Sequence, residues 1–415
     1  MVAELYPWPA VDGYRQRLTQ MIGGLADAGE VDVFTLDRPG SPPPGPSPWP
    51  GVARTRAVPV PGERGTREWL GGWVRGDLPR RLLSVDWAGP LAELDTWAAA
   101  SYDLVWYSHV DTWWPVHPRF AGTPSVVDFD NLEHLALRLR RRIPPRYPPG
   151  ADTAARARTA GRWAVSRGFD VVDERRWDAV QRRCAAQVDH VVVCSELDVA
   201  RSGVSNAVVV PNGCEPPSAP RADRTVVQGG GAPVLGFVGA LDYEPNTEAV
   251  EWFVREVLPI VRSHRPDARF RVVGRGAERL AWVEGQPGVE LVGRVPDLRA
   301  ELDLTDVSVV PIRVGAGTRL KVVEALAHHL PLVTTTVGCE GIEVADGVTA
   351  LLADDARTFA DACLRLLGDG RLRQRLADAG AELFEGRYTW AGIRARVTDL
   401  ARRTARAEGP APGEG

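Results

Sequence analysis

The hydrophobic pattern of this chain alternates short β-branched runs with amphipathic stretches of helical period along its whole length. Such alternation is typical of doubly wound parallel sheets, in which a helix connects each strand to the next. In the first half, the pattern predicts strands at 31–36, 55–60, 103–107, 125–128, 190–194 and 207–211. In the second half, it predicts strands at 233–239, 268–274, 289–293, 306–312, 331–335 and 349–352. We therefore expect an α/β protein with two Rossmann-like parallel sheets.

The first strand of such a sheet is normally central and buried, yet only Val2–Leu5 precede Tyr6 and Pro7 here. Either this strand is unusually short, or the start of the sequence misses a few residues. We favour the second interpretation.

A length of 415 residues favours two domains. The Pro- and Gly-rich segment 215–231 is interpreted as a linker between an N-terminal domain, 1–214, and a C-terminal domain, 232–385. Residues 386–406 are expected to form a helix that packs back toward the first domain, and 407–415 to be a disordered tail. Two such domains would face a central cleft, with ligands at the carboxyl ends of the strands.

Composition excludes several classes of protein. The net charge of -4 offers no global reason to expect a nucleic-acid partner. No apolar run reaches the roughly 18 residues of a spanning helix, and the opening residues are too polar for a signal peptide. The five cysteines are scattered and lack a C-x-x-C pair, which argues against both a disulfide framework and a zinc site. We predict a cytoplasmic protein.

Residues 138–167 carry nine arginines but a single acidic residue, Asp152. Two interpretations stay open for this Arg-rich segment. It is either a solvated face on an insertion, or a site for an anionic acceptor or for lipid headgroups. The second interpretation would place the protein peripherally at the inner membrane face.

The most informative stretch runs from 309 to 342. A strand is followed by a glycine-rich loop containing Gly317, and Thr318 is a good N-cap for a helix that runs to about His328. The free N–H groups and positive dipole end of such a helix suit a diphosphate. Lys321 supplies a point charge to phosphate, and Glu324, three residues later, can accept both hydroxyls of a ribose. A routine exposed ion pair is the alternative interpretation of these two residues.

Helical spacing sorts the other side chains of this segment. Leu320, Val323 and Ala327 share one face, which we expect to be core. Arg319 lies about 200° around the helix from Lys321 and is a weaker candidate for the phosphates.

The stretch GTRLKVVEALAHHLPLVTT resembles the donor-binding segment of the family-4 retaining glycosyltransferases, which have the two-domain GT-B architecture. Further similar passages, such as FVGALDYEPNTEAVEWF and YPWPAVDGYRQR, extend the resemblance over nearly the whole chain. It implies that Glu324 holds the ribose of a nucleotide-sugar and Lys321 its diphosphate. We also assign to the donor site Gly13, Gly239, Gly317, Thr318 and Arg319.

The chain departs from the family pattern at three positions. The pattern has two glutamates eight positions apart, and the first of them, which contacts the transferred sugar, is Ala316 here. Many members place Arg and Lys after the glycine of the domain's first strand, where this chain has Ala240 and Asn246. The resemblance therefore implies that fewer cationic side chains bind the phosphates of the donor, and that Lys321 contributes a larger share of this binding.

In the first half, Asp12 and Gly13 open a helix predicted over 14–28, and Gly13 would allow a phosphate or an acceptor to approach the backbone. A cap and turn without a ligand is the alternative. His109 follows the strand at 103–107, where the related enzymes often keep a polar group beside the acceptor. A hydrogen-bonded structural histidine is equally compatible with the sequence.

Asp128 and Asp130 form a D-x-D pair, which in another glycosyltransferase architecture binds a metal ion. Because Asp130 and Glu133 have capping-box spacing, we expect a helix cap and no metal site.

The expected function is that of a retaining hexosyltransferase that needs no cofactor, with His109, Lys321 and Glu324 as catalytic candidates. The resemblance suggests a same-face displacement, in which the leaving phosphate takes the proton of the acceptor. The acceptor would be a carbohydrate, a lipid-linked molecule or a secondary metabolite. A sugar-nucleotide 2-epimerase and a non-catalytic nucleotide- or partner-binding relative remain as alternatives, the latter because of Ala316.

Overall fold

The structure is a computed structural model that describes residues 1–37, 41, 43–60, 64–145, 147, 150–218, 223–225, 227, 231–315, 317 and 319–406. The predicted tail and parts of the predicted linker lie outside these residues. The chain forms two compact units. The first unit comprises Met1–Arg138, Ser166–Asn212 and the C-terminal segment from Trp390, and the second unit comprises Leu139–Val165 and Gly213–Thr389.

The sheet of the first unit has seven parallel strands. They are β1 (Val2–Ala3), β2 (Val31–Asp37), β3 (Val52–Pro59), β4 (Val105–Tyr107), β5 (Ser125–Phe129), β6 (His190–Val193) and β7 (Ala207–Val209). Their spatial order is β3-β2-β1-β4-β5-β6-β7. The two-residue β1 is therefore central, between β2 and β4, and its Val2 is paired with Phe34 and with Tyr107. The direction of winding reverses on either side of β1, so the loops after β1 and β4 flank a switch point.

The helices between these strands carry apolar faces that cover the sheet. They are α1 (Gly13–Ala26), α2 (Thr66–Arg75), α3 (Arg80–Ser84), α4 (Ala88–Trp97), α5 (Val110–Val116), α6 (Glu133–Arg140), α7 (Thr153–Ala185) and α8 (Glu196–Ser202). α1 begins where Asp12 accepts a hydrogen bond from the backbone N–H of Arg15, which is ordinary N-capping.

The second unit contains a six-stranded parallel sheet. Its strands are β8 (Val234–Val238), β9 (Arg269–Val273), β10 (Val289–Gly293), β11 (Val307–Val310), β12 (Leu332–Thr334) and β13 (Leu351–Leu352). Its order is β10-β9-β8-β11-β12-β13, which puts the switch point between β8 and β11. Its helices are α9 (Glu244–Trp252), α10 (Leu258–His264), α11 (Leu298–Asp303), α12 (Leu320–Ala327), α13 (Ala356–Gly368) and α14 (Gly370–Arg387).

Each predicted strand is present in the structure, and the predicted fold class, with two parallel α/β sheets, is confirmed. The alternation of β-branched and amphipathic stretches was sufficient because the central strands of both sheets are buried on two faces and read as continuous apolar runs, whereas the edge strand β3 is largely exposed. In the second sheet, for example, Leu235, Phe270, Val307 and Val333 are all fully buried.

The last helix, α15 (Trp390–Arg406), packs against α1 within the first unit. Thr398 donates a hydrogen bond to the carbonyl of Gly24 at 2.8 Å, and Arg394 donates one to Gln20 at 2.6 Å. A Cβ on Gly24 would lie 2.6 Å from Cβ of Val397, so this glycine permits the close approach of the two helices.

Part of the segment that we predict as a linker is buried. Arg224 is 1% exposed and donates hydrogen bonds to the carbonyls of Thr305 and His328 at 3.1 and 2.7 Å. Residues 223–225 are thereby attached to the second unit.

All five cysteines are free thiols. Within the residues that the structure describes, no helix combines the length and the hydropathy that a membrane span requires.

Candidate functional site

The donor-site candidates of the second unit lie at the switch point of its sheet. Gly239 directly follows β8, and the loop containing Gly315 and Gly317 follows the neighbouring strand β11. This is where doubly wound sheets open a crevice for ligands, because the connections on either side leave in opposite directions. Gly317 has a φ of 79°, in the left-handed region that glycine adopts without strain.

The helix after this loop begins later than predicted. α12 starts at Leu320, Arg319 occupies the N-cap position without a capping side chain, and Thr318 lies outside the described residues, as does Ala316. The predicted core face was too narrow, since Val322 and Leu326 are buried besides Val323 and Ala327, while Leu320 is half-buried. The helix packs on the sheet and also against α14, which a single apolar stripe does not reveal.

Lys321 lies in the first turn of α12, half-buried. Its ammonium donates a hydrogen bond to Oδ1 of Asn246 at 3.0 Å and lies 5.7 Å from the centre of the Phe237 ring. Burial and the nearby Arg319 guanidinium lower the pKa of Lys321 to about 8, although Glu324 acts in the opposite direction. The ammonium is thus charged at neutral pH but poorly compensated, which favours binding of an anion.

Glu324 follows Lys321 by one helical turn and is also half-buried. Burial raises the pKa of its carboxyl above the ordinary value, although the Lys321 charge opposes this shift. Among the described residues, its carboxylate has no hydrogen-bond or ion-pair partner. Two free carboxylate oxygens at this position can accept hydrogen bonds from neighbouring hydroxyls of a ligand.

Arg319 does not lie on the helix, so the argument that placed it about 200° from Lys321 was wrong. With φ of -87° and ψ of 75° it precedes the first helical residue, and helical periodicity does not apply to it. Arg319 is 5% exposed and donates a hydrogen bond to the carbonyl of Gly317 at 2.7 Å. It therefore supports the glycine loop and acts on Lys321 through its charge.

In the sequence, Asn246 was noted only because the family pattern has a cation at its position. Its contact with Lys321 was not predicted. A signal for the importance of Lys321 was nevertheless present. It is the single lysine of the chain, in which the other 49 of the 50 basic residues are arginine.

In the first unit, Gly13 is the first residue of α1, after the loop that follows β1. The predicted helix start is correct within one residue, and the helix ends at Ala26. The structure thus places Gly13 beside the switch point of the first sheet.

His109 lies after β4, at the same switch point, and is 4% exposed. Its Nε2 is 3.3 Å from Glu133 and 3.4 Å from Asp130, and its Nδ1 is 3.5 Å from Asp111. Burial and the Arg81 charge disfavour the charged form, but Asp111 and Glu133 hold the pKa of His109 well above its usual range. The backbone N–H of Asp111 also donates a hydrogen bond to Nδ1 at 3.4 Å.

Arg81 completes this cluster and was missed at the level of sequence, as was Asp111. Its guanidinium lies 2.7 Å from Asp111 and 3.0 Å from Glu133, and it is stacked 4.8 Å from the ring of Trp177. Burial raises the pKa of the Asp130 carboxyl to about 6, although His109 opposes the shift. Because α3 and α6 bring these residues together from distant parts of the chain, no local sequence motif indicates the cluster.

The D-x-D pair has roles other than the predicted cap. Asp128 is fully engaged by Arg17, whose guanidinium donates to both carboxylate oxygens at 2.9 and 2.8 Å. The carboxylates of Asp130 and Glu133 point to His109, so the capping-box interpretation was wrong. Among the described residues, no group of three or more His, Cys, Asp or Glu side chains is arranged to hold a metal ion.

The Arg-rich segment includes the end of α6 and the first half of α7. Some of its arginines are paired, since Arg138 lies 2.8 Å from Glu174 and Arg167 lies 3.2 Å from Asp170. Arg156 is stacked 5.7 Å from the ring of Tyr147, which is 43% exposed. Arg146 lies outside the described residues.

Comparison with known proteins agrees with this architecture. Residues 232–369 match the family described as Glycosyl transferases group 1. Over 206 residues, the chain is 30% identical to the phosphatidyl-myo-inositol mannosyltransferase of Mycobacterium leprae (strain TN), and the alignment covers 46% of this chain and 52% of that protein. The chain thus spans about half the length of this curated relative.

Two solved structures resemble the chain over nearly its full length. Sucrose-phosphate synthase from Thermosynechococcus elongatus has a TM-score of 0.66 at 19% identity, covering 97% of this chain and 98% of that chain. HepE from Anabaena, in complex with UDP and glucose, has a TM-score of 0.59 at 13% identity, covering 96% and 98%. At such identities the likeness concerns the fold, and the narrower assignment to family 4 stays a prediction. The chain has the GT-B fold, and its residues 232–369 match the glycosyl transferases group 1 family.

Proposed function

We propose that this protein is a retaining glycosyltransferase that moves a hexose-type sugar from a nucleoside-diphosphate donor to an acceptor hydroxyl. The observation that carries the proposal is the pair formed by Lys321 and Glu324, a poorly compensated ammonium and an unpartnered carboxylate one turn apart at the start of α12. The family match covers these residues, and the name of the Mycobacterium relative describes a mannosyltransferase. The HepE structure holds UDP and glucose, which are a nucleoside diphosphate and a hexose.

In this proposal, Lys321 and the first N–H groups of α12 bind the diphosphate, because a helix N-terminus and a point charge both favour phosphate oxygens. Glu324 accepts the hydrogen bonds of the ribose hydroxyls. Gly239 and Gly317 keep the approach to the backbone open, and Thr318, outside the described residues, stays a donor-site candidate. Arg319 stabilises the glycine-rich loop through its hydrogen bond to the carbonyl of Gly317.

The acceptor binds in the first unit beside Gly13 and His109. An imidazolium is a poor general base, since it has no free lone pair to take a proton. The raised pKa of His109 therefore supports a same-face displacement. The bond between the anomeric carbon and the phosphate oxygen breaks as the acceptor oxygen bonds to the same face, and the acceptor proton passes to the departing phosphate. His109, whose ring nitrogens contact Asp111, Asp130 and Glu133, holds these carboxylates in place beside the acceptor.

We also propose that the reaction needs no metal ion or other cofactor. Both carboxylate oxygens of Asp128 already accept hydrogen bonds from Arg17, so the D-x-D pair lacks a free ligand set. Dialysis against a chelator should leave the rate unchanged. Loss of activity that manganese restores would overturn this part of the proposal.

The test of the function is to incubate pure protein with a panel of nucleotide-sugars and candidate acceptors and to measure the release of nucleoside diphosphate. The anomeric coupling constant of the first product should equal that of the donor. An inverted linkage would refute the same-face displacement. Conversion of the donor to its 2-epimer would indicate an epimerase, and nucleotide binding without turnover would indicate a non-catalytic relative.

A peripheral location at the inner membrane face belongs to the same proposal, with the Arg-rich segment as the contact. A segment with nine arginines attracts anionic headgroups electrostatically. A lipid-linked acceptor would then be met at the membrane surface.

A further inference from the structure

Asn246 occupies the first turn of α9, on the opposite side of the switch point from Lys321. Its side chain is 5% exposed and both ends of its amide are used. Nδ2 donates a hydrogen bond to the carbonyl of Ala240 at 2.8 Å, and Oδ1 accepts one from the Lys321 ammonium at 3.0 Å. Because the backbone carbonyl requires an N–H donor, it fixes the amide so that its oxygen faces Lys321.

Gly239, which has no side chain, leaves the space that this contact occupies. A Cβ on Gly239 would lie 2.9 Å from Nδ2 of Asn246 and 3.3 Å from Cε of Lys321. On a further side, the ring of Phe237 lies below the ammonium. The ammonium is therefore held directly by an amide oxygen and an aromatic face, both neutral. Of the charged groups nearby, Arg319 repels it and Glu324 attracts it.

The chemistry of lysine suits such a site. An ammonium has three N–H donors, so the bond to Asn246 leaves two for a ligand, and the compact head needs less space than the planar guanidinium of arginine. A chain with 49 arginines keeps its single lysine at this position.

We propose that Asn246 is a positioning residue, which holds the Lys321 ammonium in place for the diphosphate of the donor. This inference rests on the proposed function for the identity of the ligand. Asn246 contributes to the binding of phosphate through Lys321, by fixing the direction of the N–H donors and by stabilising their charge.

The test measures Lys321 itself, without any ligand. Because the chain has one lysine, protein grown with ¹³C-lysine gives one Cε signal, and its shift against pH yields the pKa of Lys321. Asn246→Leu removes the acceptor of the ammonium and should lower this pKa. Asn246→Asp replaces the amide oxygen by a carboxylate and should raise it.

Thr247→Val is the matched control. Thr247 is the neighbouring residue of the same helix turn, fully buried, and its hydroxyl donates to the carbonyl of Leu241 at 2.7 Å. The substitution removes a similar bond to the same loop without touching Lys321. It should lower thermal stability and leave the pKa of Lys321 unchanged.

The second measurement is the binding of inorganic pyrophosphate by calorimetry between pH 6.5 and 9.5. For the wild-type protein, affinity should be constant below about pH 8 and should fall above it. Asn246→Leu should weaken binding about threefold to tenfold at pH 7, the usual weight of one hydrogen bond, and should start the decline at lower pH. Asn246→Asp should start the decline at higher pH, with weaker binding at pH 7 because the carboxylate competes with phosphate.

The proposal is overturned if the two Asn246 variants do not shift the pKa in opposite directions, if Thr247→Val shifts it equally, or if pyrophosphate binding is indifferent to Asn246. Failure of the proposed function has a different signature. In that case the pKa values of the free protein shift as expected, but neither pyrophosphate nor any nucleoside diphosphate binds to the wild-type protein.

Discussion

Glu324 and Lys321 are assigned to different parts of the donor, and two ligands can separate their roles. A nucleoside diphosphate has both ribose and diphosphate, whereas inorganic pyrophosphate lacks the ribose. Glu324→Ala should therefore weaken binding of the nucleoside diphosphate much more than binding of pyrophosphate, which Glu324 affects only through its charge and through the pKa of Lys321. Lys321→Ala should weaken binding of both ligands.

The magnitude follows from the state of the carboxylate in the structure. Glu324 is half-buried and has no partner among the described residues, so nothing in the protein compensates for its loss or competes with the ligand. A hydrogen bond to a charged group contributes about 1.5–3 kcal/mol, which corresponds to about 10-fold to 150-fold in Kd. Glu324→Gln keeps one acceptor oxygen without the charge and should give an intermediate loss.

The pH dependence provides an independent check. Burial raises the pKa of Glu324, and only its ionised form offers two carboxylate oxygens that both accept hydrogen bonds. Affinity for the nucleoside diphosphate should therefore fall toward acid at a higher pH than an ordinary glutamate would produce, while that for pyrophosphate should lack this decline. The assay is calorimetric titration, first with UDP, GDP and ADP, and then over a range of pH with whichever of the three binds most tightly.

The reasoning would be refuted if Glu324→Ala bound the nucleoside diphosphate with wild-type affinity. It would equally be refuted if the affinity of the variant for pyrophosphate and its affinity for the nucleoside diphosphate fell by the same factor. Circular dichroism and the urea midpoint of each variant control for the fold.

Three further predictions concern charges elsewhere. Arg319→Ala should raise the pKa of Lys321 by removing a repulsive charge, so that the alkaline loss of pyrophosphate binding moves to higher pH; an unchanged profile would remove Arg319 from the electrostatics of the site. Arg17→Met leaves the buried Asp128 unpaired and should cost about 3–5 kcal/mol of unfolding free energy in urea, which a second change, Asp128→Leu, should largely restore. Reversing the charges of Arg140–Arg142 should release the protein from anionic vesicles in a sedimentation assay without affecting donor binding. If the variant and the wild-type protein sediment equally with the vesicles, the Arg-rich segment is a solvated face and not a membrane contact.

Much of this protein is determined by its local sequence. The central strands are buried on two faces and the helices on one, so hydrophobic periodicity alone predicted both sheets and their parallel class. The glycine-rich loop before a helix, followed by Lys321 and Glu324 one turn apart, also lies within ten residues, and local spacing predicted that α12 presents both side chains. Such features depend on neighbours along the chain, which the sequence displays directly.

Tertiary structure decided the partners of these residues. The start of α12 depends on how the preceding loop packs, so Arg319 proved to precede the helix and to support Gly317. The pKa of His109 is raised because Asp111 and Glu133 converge on it from α5 and α6, against the opposing charge of Arg81 from α3, and the sequence carries no record of that convergence. Asn246 meets Lys321 across 75 positions of chain because β8 and β11 are adjacent in the sheet. The order of strands in space, and not along the chain, determines which polar groups share a crevice and therefore what charge each of them carries.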